Sequence, residues 1–176
     1  MSAREKHKTL FSEGKIAARV KKLAREIAAH PLKPDLAVPV LVGGFVFAAD
    51  LLRALTREGL DLETEFIWLR SYGHKETPED VMVLKGPTEA ARGRTVLLID
   101  GVLQSGGTLA RAKDLLFERG AAAIISVVAV AKPHVAAAAK ADFVGFTAGP
   151  EFVFGYGMDR AGMARGIPDI RIRHKE

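Results

Sequence analysis

Apolar residues early in the chain recur at helical spacing. Ile16, Val20, Leu23 and Ile27 fall on one face and Pro31 ends the run, which predicts a helix. The pattern then shortens. AVPVLV (Ala37 to Val42) is an apolar run broken by Gly43 and Gly44, which predicts a buried strand, and FVFAADLLRALTREG predicts a helix closed by Gly59. ETEFIWLRSY (Glu63 to Tyr72) and VMVLKG (Val81 to Gly86) predict strands around the polar stretch GHKETPED. VLLID (Val96 to Asp100) predicts a further strand, TLARAKDLLFERG a helix ending at Gly120, and AIISVVAVA (Ala123 to Ala131) a strand apolar throughout. Strands without polar alternation, separated by helices, imply a mainly parallel sheet covered on both faces. Ligands bind such sheets beyond the carboxyl ends of the strands. Four segments are therefore expected at one edge: Val42 to Phe45, Ser71 to Asp80, Gly101 to Thr108, and the chain after Lys132.

The 176 residues suit one domain, and neither an internal repeat nor a low-complexity linker divides them, Ala136 to Ala139 being a short alanine run. With 48% hydrophobic and 27% charged residues, the composition is that of a folded chain. No apolar run reaches the ~20 residues of a membrane span, and the opening MSAREKHK lacks the apolar core of a signal peptide. Together with the absence of cysteine, which removes disulfides and thiolate metal sites, this implies a cytoplasmic protein away from membranes. The net charge of +5 raises the question of nucleic acid. Its one dense group, Lys15, Arg19, Lys21, Lys22 and Arg25, is expected to be the solvated face of the first helix, and a small anionic substrate suits the charge equally well. His30, His74, His134 and His174 have no partners at metal-ligand spacing and read as surface residues.

The stretch VLLIDGVLQSGGTLARA is the most informative. Gly101, Gly106 and Thr108 have P-loop spacing, but Gly107 stands where the lysine belongs. A strand ending in an acid, then Gly106-Gly107, then a helix, makes a nest of backbone N–H groups helped by the helix dipole. Ser105 and Thr108 add hydroxyl donors. Without the lysine that faces a triphosphate's outer phosphates, the nest suits a single phosphate monoester, which leaves Asp100 for ribose hydroxyls or magnesium. Ser105 has no histidine partner in a hydrolase-like motif, which argues against a nucleophilic serine.

These residues resemble the phosphoribosyl pyrophosphate loop of the type I phosphoribosyltransferases. LVGGFVFAADLLRAL resembles the first ligand-side loop and helix of the hypoxanthine-guanine branch, RSYG the start of its mobile loop, and KADFVGFTAGPEFVFGYGMD with Arg165 its base-binding hood. The likeness keeps one order from about Thr9 to Ile170. It implies the type I phosphoribosyltransferase fold, an α/β domain over residues 1–176 whose small hood comes from the N-terminal segment and about residues 141–176. It implies that Gln104, Ser105, Gly106, Gly107 and Thr108 hold the 5′-phosphate and Asp100 the ribose. Leu41, Val42, Gly43 and Gly44 would hold pyrophosphate, with Arg165, in a turn that often contains a non-proline cis peptide. Ser71 and Tyr72 would close over the reaction. Lys132 would meet the exocyclic oxygen of a purine, Phe152 would stack on its ring, and Val153 would offer main-chain groups. Asp159 would hold a second magnesium. Each residue also has a plain structural use: Lys132 as a strand-end cap, Phe152 as core, Asp159 as the close of a turn after GYG.

The departures bear on chemistry. The branch usually has two adjacent acids and a third three places after the second; here these positions are Asp100, Gly101 and Gln104. Gln104 stands at the place of the presumed general base, and an amide accepts no proton at neutral pH. Val42 replaces a common lysine. The uracil and adenine branches resemble this loop in lacking the acid at the Gln104 position, and general-base help supplies only about 10²–10⁴-fold. The resemblance therefore implies a magnesium-dependent enzyme of purine salvage, its activity reduced where Gln104 replaces the usual base, that joins a nucleobase, a 6-oxopurine by its hood, to phosphoribosyl pyrophosphate. It also implies a homodimer or homotetramer. The alternative is a regulatory homologue that binds the nucleotide without turnover.

Overall fold

The computed structural model describes residues 7–71, 81–132 and 138–173. Its elements run β1 (His7–Phe11), α1 (Glu13–Ala28), β2 (Leu36–Leu41), α2 (Phe45–Arg57), β3 (Glu63–Thr64), β4 (Ile67–Ser71), β5 (Val81–Lys85), β6 (Thr95–Leu103), α3 (Gly107–Glu118), β7 (Ala123–Ala131), β8 (Phe143–Thr147), β9 (Val153–Phe154) and β10 (Ile170–Arg173). The central sheet has the order β5-β4-β2-β6-β7-β8, with β3 beside the start of β2. All of its pairings are parallel except β4 with β5.

Both faces of this sheet are buried, as the unbroken apolar runs imply. Leu97 and Ile99 of β6 pack with α1 and α2, while Val96 and Leu98 face the other way, toward Leu109, Ala112 and Leu116 of α3. That alternation is the two-residue period of a strand. The stripe on α1 is buried as its spacing requires, with Leu23 and Ile27 inaccessible. Each such side chain contributes about 1.5–3 kcal/mol relative to exposure. Arg19 departs from the expected solvated face. Its guanidinium reaches the edge strand β8, donating to the carbonyls of Val144 (2.7 Å) and Gly145 (2.9 Å), and pairs with Glu26 (3.0 Å).

A second, three-stranded antiparallel sheet in the order β1-β10-β9 forms the small hood. It is tied to the main body at the start of α1, where the Glu13 N–H donates to Asp169 Oδ1 (3.1 Å). A polar link also joins it to α2: the Tyr156 hydroxyl donates to Asp50 Oδ2 (2.7 Å).

Two of the expected strands differ from the sequence pattern by more than one residue. The run from Glu63 to Ser71 is broken at residues 65–66, because β3 pairs with Leu36 and Ala37 whereas β4 pairs with Val40 and Leu41. Strand β6 does not end at Asp100. It continues through Gly101 to Leu103, with Val102 opposite Val130 and Leu103 opposite Ala131. Gly101 therefore belongs to the sheet, and the loop is shortened to residues 104–106.

Candidate active site

The expected edge is formed at the carboxyl ends of β2, β4 and β6. A cleft of about 650 Å³ lies there, lined by the turn after β2, by β4, by the end of β6 and by the hood. Leu41, Val42, Gly43, Asp100, Gln104, Thr108, Phe152, Val153, Asp159 and Arg165 line it. Of the segments expected at this edge, residues 72–80, Tyr72 among them, residues 133–137 and the side chain of Ser71 lie outside the described residues.

The glycine loop expected to hold phosphate is built as the strand–loop–helix pattern requires. Gly106 adopts φ +81° immediately before α3, a backbone that a Cβ-bearing residue occupies only under strain. A Cβ there would stand 2.6 Å from the Ala139 N and 2.8 Å from the Ala139 O. The loop is fastened to the same segment by the Ala138 N–H donating to the Ser105 carbonyl (2.7 Å). The first-turn N–H groups of a helix lack intrahelical acceptors; the Gly107 N–H donates to Ser105 Oγ (3.4 Å), and Thr108 beside it sits at the positive end of the helix dipole.

The turn after β2 holds the sheet edge more closely than a count of charges suggests. Its Leu41–Val42 peptide is cis. A Cβ on Gly101 would meet the Gly43 O at 2.6 Å, and one on Gly157 of the hood would meet the same oxygen at 2.7 Å. A Cβ on Gly44 would stand 3.2 Å from the Asp100 Cα. The Gly43 carbonyl is thus held between two glycines from distant parts of the chain. A side chain at position 101, a carboxylate included, would have to displace this turn.

Asp100 is a buried carboxylate, 8% exposed, whose Oδ1 accepts from the Gly101 N–H (2.7 Å). Asp159 does close a turn, accepting from the Gly162 N–H (2.8 Å), and it also pairs with Arg165 (3.0 Å). Arg165 donates to the Gly157 carbonyl (2.7 Å), which fixes a cation in the cleft wall. Phe152 is 53% exposed, so it is not core. Val153 is buried on β9, the edge strand of the hood sheet, whose outer side is not taken by β10. Lys132 is not in the cleft wall itself but reaches it, donating from Nζ to Gln104 Oε1 (3.2 Å). Burial, and then the hydrogen bond to Asp50, push the Tyr156 phenol far above its ordinary range, so the hood-to-α2 link stays protonated.

Sequence reasoning missed Trp68 and Arg70, which line the cleft from β4. Arg70 brings a cation to the side of the cleft where Val42 supplies none. The signal was faint: alternation in IWLRS sets Trp68 and Arg70 on the face opposite Ile67 and Leu69.

Two carboxylates, Asp100 and Asp159, face a cleft that also offers backbone donors and arginine. No group of three acids or histidines that could hold a metal alone occurs among the described residues. That donor set fits magnesium, which commonly takes one or two carboxylates and completes its shell with water and substrate phosphates.

A doubly covered, mainly parallel sheet, with a glycine-rich strand–loop–helix turn at its carboxyl edge and a small hood, defines the class: a type I phosphoribosyltransferase fold. The chain belongs to the phosphoribosyltransferase family, whose phosphoribosyl transferase domain matches residues 7–161. It is related to the 6-oxopurine members. It is 35% identical over 168 residues to the hypoxanthine-guanine phosphoribosyltransferase of Bacillus subtilis, covering 94% of this chain and 92% of that one. It is also 35% identical over 172 residues to the bifunctional protein TilS/HprT of Listeria innocua, covering 96% of this chain but 26% of that protein, so it spans about a quarter of the bifunctional relative. The hypoxanthine phosphoribosyltransferase of Trypanosoma cruzi, in complex with the product IMP, superposes with a TM-score of 0.83 at 29% identity, covering 99% of this chain and 97% of that one. Among the described residues, no helix is long and apolar enough to cross a membrane.

Proposed function

We propose that the protein transfers phosphoribose from phosphoribosyl pyrophosphate to a 6-oxopurine, hypoxanthine or guanine, giving the nucleoside 5′-monophosphate and pyrophosphate. The observation that carries this reading is the meeting, in one cleft, of the nest at α3, the turn at residues 41–44, Arg165, and a half-exposed Phe152 beside an edge strand. In the step, a ring nitrogen of the base bonds to C1 of the ribose as the bond from C1 to pyrophosphate breaks. The base loses a proton to water or to the departing pyrophosphate. Residues 104–108 hold the 5′-phosphate, and the turn with Arg165 holds the leaving group. Phe152 stacks on the base, Val153 meets its edge, and Lys132 donates to its exocyclic oxygen. Ser71 and Tyr72 are assigned to closure. Such a reaction passes through an oxocarbenium-like state, which is served by positioning and charge stabilisation. Bound magnesium would neutralise the charge growing on pyrophosphate, and Asp100 and Asp159 are the residues that would hold it. Assembly as a homodimer or homotetramer belongs to the same proposal.

A second reading, a nucleotide-binding regulator without turnover, is favoured by the amide at Gln104. Pyrophosphate release, followed with hypoxanthine, guanine, adenine and uracil in turn, separates the two. Release with a 6-oxopurine is expected, and Lys132→Ala should weaken that base roughly 10- to 150-fold, the loss of one charge-assisted hydrogen bond, with phosphoribosyl pyrophosphate affinity kept. Preference for adenine would remove the 6-oxo assignment. Nucleotide binding with no release from any base would establish the regulator.

A further inference from the structure

We infer that Tyr156 is a positioning residue for the proposed reaction: its hydroxyl, donating to Asp50, fixes the hood against α2 and so sets Arg165 and Asp159 against the turn at residues 41–44. The inference rests on the proposed assignment of that turn, with Arg165, to pyrophosphate.

The contacts run from α2 into the cleft wall. Helix α2 begins directly after the turn, with Gly44 as its N-cap, and Asp50 lies on its second turn. Asp50 Oδ2 accepts from the Tyr156 hydroxyl (2.7 Å), while Oδ1 pairs with Arg53. The Tyr156 ring also stands edge-on to Phe47 of α2, with centroids 6.4 Å apart. From Tyr156 onward the link is backbone. The Tyr156 N–H donates to the Ile167 carbonyl (2.7 Å), and the Gly157 N–H to the Arg165 carbonyl (2.9 Å). The Arg165 guanidinium donates back to the Gly157 carbonyl (2.7 Å) and pairs with Asp159 (3.0 Å). Tyr156 is itself 5% exposed and does not line the cleft, so it acts through these neighbours.

The backbone supplies a second, independent observation. Gly155 (φ +88°), Tyr156 (φ +49°) and Gly157 (φ +94°) follow one another in the left-handed region. A bulky residue takes that conformation only at a cost that glycine escapes. The middle position nevertheless carries a tyrosine. Strained positions of this kind persist where their surroundings hold them, and they gather at ligand clamps. Gly157 shows what is being clamped: a Cβ there would stand 2.7 Å from the Gly43 O of the turn. That close approach keeps the hood from moving nearer the turn, and the link from Tyr156 to Asp50 opposes its moving away. The separation between the turn and Arg165 is thus held from both sides.

Phosphoribosyl pyrophosphate and ribose 5-phosphate share the phosphate assigned to residues 104–108 and differ in the pyrophosphate. Each is titrated calorimetrically, with magnesium and well below the melting temperature, into wild type, Tyr156→Phe, Asp50→Leu and Asp50→Asn. Tyr156→Phe removes the hydroxyl alone and leaves the ring against Phe47 and Asp50 paired with Arg53. It is expected to weaken phosphoribosyl pyrophosphate roughly 3- to 30-fold, the range through which residues away from a ligand modulate its binding. Ribose 5-phosphate affinity should stay unchanged. Asp50→Leu should lose as much, and the double variant no more than either single one, because both remove the same link. Asp50→Asn keeps an acceptor oxygen and should lose less. The Asp50 variants carry the test if Tyr156→Phe fails to fold. A lowered melting temperature with both ligands bound as by wild type would mark a merely structural role and overturn the inference, as would equal losses for the two ligands; either leaves the proposed function standing. Wild-type protein that binds phosphoribosyl pyrophosphate no more tightly than ribose 5-phosphate would remove the pyrophosphate assignment, and the inference with it.

Discussion

Restoring the carboxylate that this chain lacks at position 101 should weaken the site. A Cβ at Gly101 would stand 2.6 Å from the Gly43 O, 2.9 Å from the Gly43 C and 3.3 Å from the Gly44 N, all backbone atoms. Comfortable separations for carbon lie near ~3.5 Å, so the turn must retreat by roughly 0.5–1 Å. Gly157 closes on the same carbonyl from the hood, which limits where it can go. Overpacking of this kind costs about 1–3 kcal/mol. A domain stable by about 5–15 kcal/mol survives that, with Tm lowered by roughly 2–12 °C. The turn is the proposed pyrophosphate holder, and a misplacement near 1 Å can cost ~10²-fold in rate. Gly101→Asp is therefore expected to lose about 10- to 100-fold in affinity for phosphoribosyl pyrophosphate, measured by calorimetric titration. Gly101→Ala, which adds the Cβ without the charge, should lose nearly as much. Thermal melts of both variants confirm that the fold persists. Binding by Gly101→Asp tighter than wild type would refute the argument, since the new carboxylate would then have been accommodated without displacing the turn.

Two further outcomes follow from the same geometry. Gly106→Val combines the left-handed φ of +81° with a Cβ 2.6 Å from the Ala139 N, so the folded variant should lose at least ~10-fold in nucleoside monophosphate affinity by calorimetry; unchanged affinity would remove the phosphate site from this loop. Tyr156→Phe should destabilise the protein at pH 7 by about 1–3 kcal/mol through the lost hydrogen bond to Asp50. The folded state raises this phenol's pKa above its ordinary value of 10.0, so the hydroxyl's contribution is complete below that pH and is lost as pH rises above it. In urea melts from pH 7 to 11, the gap between variant and wild type should close above pH 10 by up to ~1.4 kcal/mol per pH unit; a constant gap would contradict the assignment.

Local pattern was enough for much of this molecule. The period of Ile16, Val20, Leu23 and Ile27 determined α1 and its buried face, because a helix must hide one stripe whatever it packs on. The apolar run from Ala123 to Ala131 coincided with β7 to the residue, since a strand covered on both faces has no polar alternation. The sequence also determined the glycine loop before α3, for glycines between a strand and a helix define a local geometry. What it could not determine was anything set by contact between distant segments. The hood sheet joins His7–Phe11 to Ile170–Arg173 and Val153–Phe154, short strands whose pairing partners no local period can name. Lys132 and Gln104 meet across the ends of the neighbouring strands β7 and β6. Gly101 is the sharpest case. In the sequence it is a missing acid, but in the folded chain its place beside the backbone is filled by the Gly43 carbonyl, because the turn after β2 passes so close to β6 that a side chain there would have to displace it.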